Sequence, residues 1–360
     1  MVIRSFKDRR PRLLAPSRIL RPPVRQVGGG REREELVDEA RASIAKGSKS
    51  FALASRLFDR PTREKAWLLY AWCRRCDDIA DGQEFGWRTN DEELAEHYIQ
   101  ALRILTRRAL DGQPTADPAF DAFGQVALEA RLTEQMANDV IAGFELDAEG
   151  WRPRTEGDLM RYCYHVAGAV GVMMANVMGV PDDDESMLDR ACDLGLAFQL
   201  ANIARDMSED DAAGRCYLPV EWLVEADIPP GEHMKPKHRE ELVVLVSRLV
   251  DLAEQHETAA RFGAAQLPFR QRWAVLSAAN IYLAIARKVR ARGVKAWDHR
   301  VTVSLLEKLG AVFRALSQAF SRPREPDEWP RWTRGEILVA VRMEGPIAPI
   351  PMTPLPDEES

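Results

Sequence analysis

Apolar residues recur at the three- and four-residue spacing of amphipathic helices from about residue 34 to residue 322. The alternation of apolar and polar residues that is typical of strands is nearly absent, and no internal repeat is found. The pattern predicts helices over residues 61–81, 89–110, 156–179, 183–209, 236–264, 268–292 and 301–320. Short turns containing proline and glycine separate them. We therefore predict an all-α fold.

The two ends of the chain depart from this periodicity. Residues 1–33 are rich in arginine and proline and lack the apolar core of a signal peptide, so we predict a mobile arm. Its positive charge suits an anionic membrane surface, and a disordered tail without a partner is the alternative. Residues 323–360 are proline-rich and are predicted to form a loosely ordered tail. A single helical domain, residues 34–322, lies between them.

Composition narrows the class of protein. The chain has 360 residues, of which 46% are hydrophobic, enough for a sizeable core, and its net charge of -6 argues against a nucleic-acid binder. No apolar run reaches the length of a membrane-spanning helix; the longest, residues 166–180, is interrupted by Asn176 and by glycines and predicts a buried helix. The five cysteines are odd in number and lie in apolar or helical stretches, which predicts buried thiols in a reducing compartment. Cys73 and Cys76 form a lone C-x-x-C without the second pair that a zinc site needs, so a helical core explains them better.

Two acidic stretches carry the candidate chemistry. Asp77 and Asp81 are four residues apart, and Asn202, Asp206 and Asp210 repeat that spacing, so each set lies on one helical face. Two carboxylates about 4 Å apart repel by about 1 kcal/mol in water and by about 4 kcal/mol at an effective dielectric constant near 20. A bound Mg²⁺ reverses this penalty and attracts phosphate. A solvated face explains the first pair equally well, whereas both stripes together favour a metal and diphosphate site.

Five ordered motifs carry a resemblance to a known family. They lie at residues 47–51 (GSKSF), 70–81 (YAWCRRCDDIAD), 162–171 (YCYHVAGAVG), 198–219 (FQLANIARDMSEDDAAGRCYLP) and 278–301. Over roughly residues 40–320 the chain resembles the squalene/phytoene synthase family, and most closely its bacterial phytoene synthases. The resemblance implies a single-domain, isoprenoid-synthase-like helical bundle around a central cavity that holds two isoprenoid diphosphates.

The resemblance also implies roles for individual residues. The metal ligands would be Asp77, Asp81, Asn202, Asp206 and Asp210, of which the four aspartates are also expected to be catalytic. Tyr70, Tyr162 and Gln199 match positions near the reacting carbons, with both tyrosines expected to be catalytic. Residues expected to contact diphosphate are Ser48, Lys49, Ser50, Arg74, Gln199, Arg205, Arg215, Tyr282 and Arg300. Gly47 and Ala201 differ from residues common in relatives, and neither change removes a metal ligand.

The implied reaction is the head-to-head condensation of two geranylgeranyl diphosphates to phytoene, the first committed step of carotenoid biosynthesis. Mg²⁺ is the expected cofactor, with Mn²⁺ as a substitute, and NADPH is not expected. The alternative is a squalene or dehydrosqualene synthase acting on farnesyl diphosphate. A terpene cyclase differs in motif spacing, and a non-catalytic relative is expected to have lost the aspartates. A cytoplasmic enzyme at the inner membrane is expected, with a phytoene desaturase as downstream partner.

Several residues of the central apolar segment have an alternative, structural reading. His165 is predicted to be a hydrogen-bonded core histidine rather than a base. Gly168 and Gly171 allow close helix packing as readily as substrate passage. Met173, Met174 and Met178 are adaptable core residues first and candidate cavity wall second.

Overall fold

The structure, a computed structural model, describes residues 26–80 and 92–344, without the side chains of residues 92–95, 343 and 344. These ranges contain helices and no strand, which confirms the all-α prediction. The α-helices are α1 Arg33–Gly47, α2 Lys49–Ser55, α3 Arg60–Ala80, α4 Glu92–Leu110, α5 Pro118–Ala130, α6 Glu134–Ala148, α7 Glu156–Cys163, α8 Ala169–Val177, α9 Glu185–Ala212, α10 Val220–Glu225, α11 Arg239–Ala264, α12 Phe269–Arg292, α13 Leu305–Ala319 and α14 Arg334–Glu344.

Local chemistry explains where several helices begin. Ser48 accepts a hydrogen bond from the backbone of Phe51 at the start of α2, and Asp184 does the same for Met187 at the start of α9. Thr155 begins α7 with a reciprocal capping box. Pro118 occupies the first turn of α5, where a missing N–H costs no helical hydrogen bond. These side chains satisfy backbone groups that a helix end leaves without partners.

The longest helices build the core. Helix α9 packs against α8, α11 and α12, and α3 packs against α1 and α5. Two glycines let α8 and α9 approach each other closely: a Cβ on Gly171 would lie 2.3 Å from the carbonyl oxygen of Ala191, and one on Gly195 would lie 2.2 Å from that of Ala167. The predicted packing role of Gly171 is therefore observed. A larger residue at either position would push the two helices apart.

The predicted helix 156–179 is interrupted. A π-helical turn at Tyr164–Gly168 separates α7 from α8, with one extra residue per turn. Beyond it, Val172, Met173 and Val177 of α8 are buried, as expected for the long apolar segment. In the described ranges, no helix combines the length and hydrophobicity that crossing a bilayer requires.

The chain near its ends is more structured than predicted. Gln26 donates a backbone hydrogen bond to Gly112 (2.8 Å), and the arm before it lies outside the described residues. In the region predicted to be a loose tail, α14 is anchored by Arg334, which pairs with Glu185 and Asp189, and by the buried Ile337. The prediction of a loose tail was based on proline content. It did not account for these ion pairs and the one buried side chain, which hold α14 against α9.

The cysteines match their prediction. All five are free thiols, and four of them, Cys76, Cys163, Cys192 and Cys216, are buried. Cys73 is half-buried, and burial raises the pKa of its thiol to about 12. These cysteines are therefore protonated packing residues.

Candidate active site

A cavity of about 350 Å³ lies among α2, α3, α8, α9, α11 and α12. Its wall is largely apolar and includes Met174 of α8 and Met178 directly after that helix. Of the three candidate methionines, Met173 is instead fully buried in the core. On α9 the wall runs from Met187 to Asn202, which spans about 22 Å at 1.5 Å per residue. This length accommodates an extended twenty-carbon isoprenyl chain.

One end of the cavity is ringed by aromatic and polar side chains. Phe51 lies against Tyr70, Phe198 and Tyr282, with ring centroids 6.5, 6.1 and 5.1 Å away, and so joins α2 to three other helices. Gln199 and Asn202 add polar groups at the same end. Burial raises the pKa of Tyr282 to about 12 despite its hydrogen bond to Ser48, and burial also raises the pKa of Tyr70. Both tyrosines are therefore neutral near pH 7.

The acidic stripe of α9 continues from this polar end. Asn202 lines the cavity, and Asp206 follows it one helical turn later. Arg205 holds Asp206 through two hydrogen bonds, one of 2.6 Å, and Arg300 adds another of 2.8 Å. A polar pocket that includes Arg205 and Arg300 lies alongside. The predicted diphosphate contacts Arg205 and Arg300 thus meet at one carboxylate.

Asp210 lies one turn further along α9, and its environment disfavours the charged form of its carboxyl. Burial first, and then the charges of Asp206 and Asp147, raise the pKa of the Asp210 carboxyl to about 7, although Arg215 acts in the opposite sense. The backbone N–H of Arg215 also donates to the carbonyl of Asp210 (2.8 Å). Burial and the neighbouring carboxylates therefore make the negative charge of Asp210 costly, and a bound cation would offset that cost.

Helix α3 brings its own acidic residues toward the same end. Tyr70 and Cys73 line the cavity, and Asp77 follows Cys73 by one turn, just as Asp206 follows Asn202. Arg74 pairs with Asp77 (2.8 Å) and with Asp78 (2.5 Å). On both α3 and α9, aspartates therefore follow the cavity-lining residues by one helical turn at the polar end of the cavity. Asp81, the second predicted ligand of this stripe, lies outside the described residues.

The donor set at this end suits a hard divalent cation. Carboxylates and an amide are offered by Asp77, Asn202, Asp206 and Asp210, and oxygen ligands are those that Mg²⁺ prefers. Within residues 26–80 and 92–344, no three His, Cys, Asp or Glu side chains are grouped closely enough to enclose a metal. Magnesium is commonly held by one or two carboxylates together with substrate phosphates and water. Two acidic stripes that follow residues of one cavity wall therefore fit ions shared with a diphosphate.

The segment predicted to grip phosphate borders the same polar end. Ser48 caps α2 and is hydrogen-bonded to Tyr282, which ties the segment to α12. Lys49 is exposed, and Ser50 is half-buried. Gly47 lies directly over Tyr70, because a Cβ there would be 2.2 Å from the tyrosine hydroxyl. The structure thus groups this segment with two aromatic residues of the cavity.

Tyr162 does not belong to the described cavity wall. It is buried between Trp151 and Tyr217, with ring centroids 5.7 and 4.6 Å away. Its hydroxyl donates to Asp147 (3.1 Å), and that of Tyr217 donates to the same carboxylate (2.8 Å). Sequence reasoning missed Asp147, whose charge acts on Asp210. Tyr162 is therefore placed to position Asp147 rather than to face a reacting carbon.

We expect Tyr162→Phe to lower the free energy of unfolding by about 1–2 kcal/mol, because Asp147 loses one of its hydrogen-bond donors in a buried setting. Chemical denaturation of both proteins measures this difference. Turnover should change little, with kcat reduced severalfold at most. Tyr164→Phe is the matched comparison, because this buried tyrosine outside the cavity wall also donates its hydroxyl to an aspartate, Asp139 (2.8 Å). A loss of turnover comparable to that of an aspartate variant, with unchanged stability, would instead support the catalytic role.

His165 has the structural role that was predicted for it. It is buried, and its Nδ1 lies 2.8 Å from the carbonyl oxygen of Asp139. Burial is the main cause that lowers the pKa of His165, so its imidazole is neutral near pH 7. The His165 side chain thus links the π-helical turn to a backbone carbonyl of α6.

A family model and several related proteins match most of the chain. Residues 44–307 match the squalene/phytoene synthase family. A phytoene synthase of Pseudescherichia vulneris is 45% identical over 82% of this chain and 98% of that relative. A 15-cis-phytoene synthase of Enterobacter agglomerans is also 45% identical, over 79% of this chain and 98% of the relative.

Solved structures of squalene and dehydrosqualene synthases share the fold of this chain. A dehydrosqualene synthase crystallised with a ligand superposes with a TM-score of 0.70 at 28% identity, covering 79% of this chain and 96% of the other. A squalene synthase from Alicyclobacillus acidocaldarius, at 22% identity, superposes with a TM-score of 0.64 over 72% of this chain and 95% of the other. The candidate site residues, from Ser48 to Arg300, lie within the matched residues 44–307. The chain belongs to the squalene/phytoene synthase family.

Proposed function

We propose that this enzyme is a prenyltransferase that condenses two geranylgeranyl diphosphates head to head into phytoene, through prephytoene diphosphate, with release of diphosphate. This is the first committed step of carotenoid biosynthesis. The observation that carries the proposal is a long apolar cavity whose polar end leads into two acidic stripes, one starting beyond Cys73 and the other at Asn202. The 45% identity to proteins named phytoene synthase supports the choice of product.

Divalent metal would be held by Asp77 and Asp81 on one side and by Asn202, Asp206 and Asp210 on the other. When bound, Mg²⁺ neutralises the diphosphate and makes it a better leaving group. Arg74, Arg205 and Arg300 add fixed positive charge beside these carboxylates. Lys49, Ser50 and Arg215 are proposed to complete the diphosphate contacts. Preorganised charge of this kind stabilises a leaving anion without reorganisation of solvent.

The cavity wall protects the cation that forms when diphosphate leaves. Phe51, Phe198 and Tyr282 present aromatic rings at the polar end, where the reacting carbons would lie. An apolar wall excludes water, which would otherwise quench an allylic cation. The neutral Tyr70 and Tyr282 act there as hydrogen-bond donors and as ring faces. The double bond of the second substrate then attacks the cation, and loss of a proton gives the cyclopropyl intermediate, prephytoene diphosphate. Departure of the second diphosphate, rearrangement and loss of a second proton complete the product.

A second candidate is condensation of two farnesyl diphosphates by a squalene or dehydrosqualene synthase. The superposition on a dehydrosqualene synthase supports it, because the two chains share their fold over most of their lengths. The length of the α9 wall favours the longer substrate. The two candidates differ in substrate carbon number, and squalene formation also requires a reductant.

Identification of the hydrocarbon tests the proposal directly. We expect purified enzyme with Mg²⁺ to convert geranylgeranyl diphosphate to phytoene with no increase on addition of NADPH, and to use farnesyl diphosphate poorly. Chelation by EDTA should abolish turnover, and excess Mg²⁺ or Mn²⁺ should restore it. Liquid chromatography with mass spectrometry identifies the products. A larger kcat/KM for farnesyl diphosphate would select the second candidate, and activity that survives chelation would contradict the ligand assignment.

The apolar product determines where the enzyme would work. We propose a cytoplasmic enzyme bound peripherally to the inner membrane, because phytoene does not dissolve in water and must enter lipid. A phytoene desaturase that draws its substrate from the same membrane would be the downstream partner. Flotation of the enzyme with membranes after cell lysis, and its release by salt or alkali, test this location.

A further inference from the structure

Helix α13 turns its large apolar residues outward. Its buried residues are Ala311, Ala315 and Ala319, which face α12. At 100° per residue, six larger apolar side chains fall within about 100° on another side of the helix. They are Leu305, Leu306, Leu309, Phe313, Leu316 and, directly after the helix, Phe320. We call these six residues the α13 stripe.

The exposure of this stripe is unusual for a soluble surface. Leu306, Phe313 and Phe320 are 80, 69 and 77% exposed, whereas scattered single apolar residues are the ordinary case. Such an arrangement, small residues inside and large ones outside, is not explained by packing within the chain. A contiguous exposed apolar stripe marks a contact surface.

Apolar surface continues from the stripe toward the cavity. Phe320 lies against Phe269 (5.0 Å between ring centroids), and Phe269 lies near Trp273 (6.4 Å). Leu267, two residues before Phe269, and Val275, two residues after Trp273, both line the cavity. The stripe therefore lies at the end of the molecule to which the apolar part of the cavity extends.

Three arginines lie beside the stripe, and the exposed acidic residues Glu325, Asp327 and Glu328 follow further along the chain. Arg314 lies on α13 and Arg322 follows it, both exposed, and the exposed Arg270 is next to Phe269. Glu307, the only acidic residue of α13, is paired with Lys288 (2.6 Å). An anionic lipid surface complements this pattern. Two copies of the chain packed through the stripe would instead bring like charges together, which disfavours association.

We propose that the α13 stripe docks against an anionic lipid bilayer, with its leucine and phenylalanine side chains among the acyl chains and its arginines at the headgroups. The inference rests on the proposed function, since a hydrocarbon product gives the enzyme a reason to lie at lipid. It adds a defined surface to that function. The stripe sets the cavity's apolar end close to the membrane, which shortens the path of the product into lipid.

Vesicle flotation of the full chain tests the proposal. Wild-type protein should float with vesicles of phosphatidylcholine and phosphatidylglycerol, and more weakly with phosphatidylcholine alone. Leu306→Ser combined with Phe313→Ser should lower the partition coefficient about tenfold or more, because two exposed apolar side chains no longer enter lipid. Arg314→Gln combined with Arg322→Gln should weaken binding to the anionic vesicles only.

The matched control is Leu128→Ser combined with Val244→Ser, two equally exposed apolar residues on α5 and α11 (66 and 62% exposed). It should float like the wild type. Unchanged flotation of the stripe variant would overturn the proposal, as would a wild type that binds neither vesicle. Light scattering gives a further outcome. If the wild type is a dimer, and the stripe substitutions make it a monomer without changing vesicle binding, the stripe is a contact between two copies of the chain and the proposal is wrong. Turnover is measured in detergent micelles, where it should be equal for all variants. This measurement tests the proposed function independently of membrane binding.

Discussion

Asp206→Asn should reduce turnover of prenyl diphosphate about 10²- to 10³-fold. Asparagine keeps the size of the side chain but removes the charge that Arg205 and Arg300 bracket and that a metal ion would share with diphosphate. The arginines then face each other without their common carboxylate. Steady-state formation of the hydrocarbon product from labelled substrate, at saturating Mg²⁺, measures the loss. The melting temperature should change little, because the carboxylate lies at the cavity end rather than in the apolar core.

Asp211→Asn is the matched control for this substitution. Asp211 belongs to the same acidic run of α9 but lies about 140° around the helix from Asp206, where it approaches His233 (3.6 Å) instead. It should retain most of the wild-type turnover. Equal losses of turnover for the two variants would mean that activity depends on the total negative charge of this run, and not on the face of α9 that carries Asp206. Full activity of Asp206→Asn would refute the proposed ligand role.

The fold was predictable because its helices are long and strongly periodic. The predicted segments 236–264 and 268–292 differ from α11 and α12 by only a few residues at their starts, where a short 3-10 turn precedes α11. Periodicity reports which face is buried, and burial of that face stabilises a helix in place. The π-helical turn at Tyr164–Gly168 leaves no such signal, because one inserted residue per turn barely changes an already apolar pattern. Helix α14 was missed for a different reason, as its anchors are ion pairs to distant residues.

The candidate site was predictable where its geometry is local. Asn202, Asp206 and Asp210 fall on one face of a single helix, which the spacing alone establishes. The structure adds that Cys73 on α3 and Asn202 on α9 share a cavity, and spacing carries no information about that convergence. Asp147 could not be found from the sequence, because it reaches Tyr162 and Tyr217 only through tertiary packing. A single aspartate on an otherwise ordinary amphipathic helix gives no local signal.

Substrate length is expected to be set along α12. Ala274, Ala278 and Tyr282 all line the cavity and follow one another at single-turn intervals. Ala274 is therefore about 12 Å along the helix axis from Tyr282, beyond the region that the first isoprene units would occupy. Both alanines offer only a methyl group to the cavity, so the passage is open toward its apolar end.

Ala274→Phe should lower kcat/KM for geranylgeranyl diphosphate about 100-fold and leave that for farnesyl diphosphate changed by much less. The phenyl ring would occupy space that only the longer chain requires, while the aspartates and arginines at the other end remain in place. Kinetics with both diphosphates, and the ratio of the two products in a mixed incubation, give the selectivity. Ala284→Phe, on a part of α12 outside the cavity wall, is the matched control and should preserve the ratio. Equal losses on both substrates at an unchanged melting temperature would show that this stretch of the cavity does not hold the chain's far end, and the wall along α9 would then have to set the length.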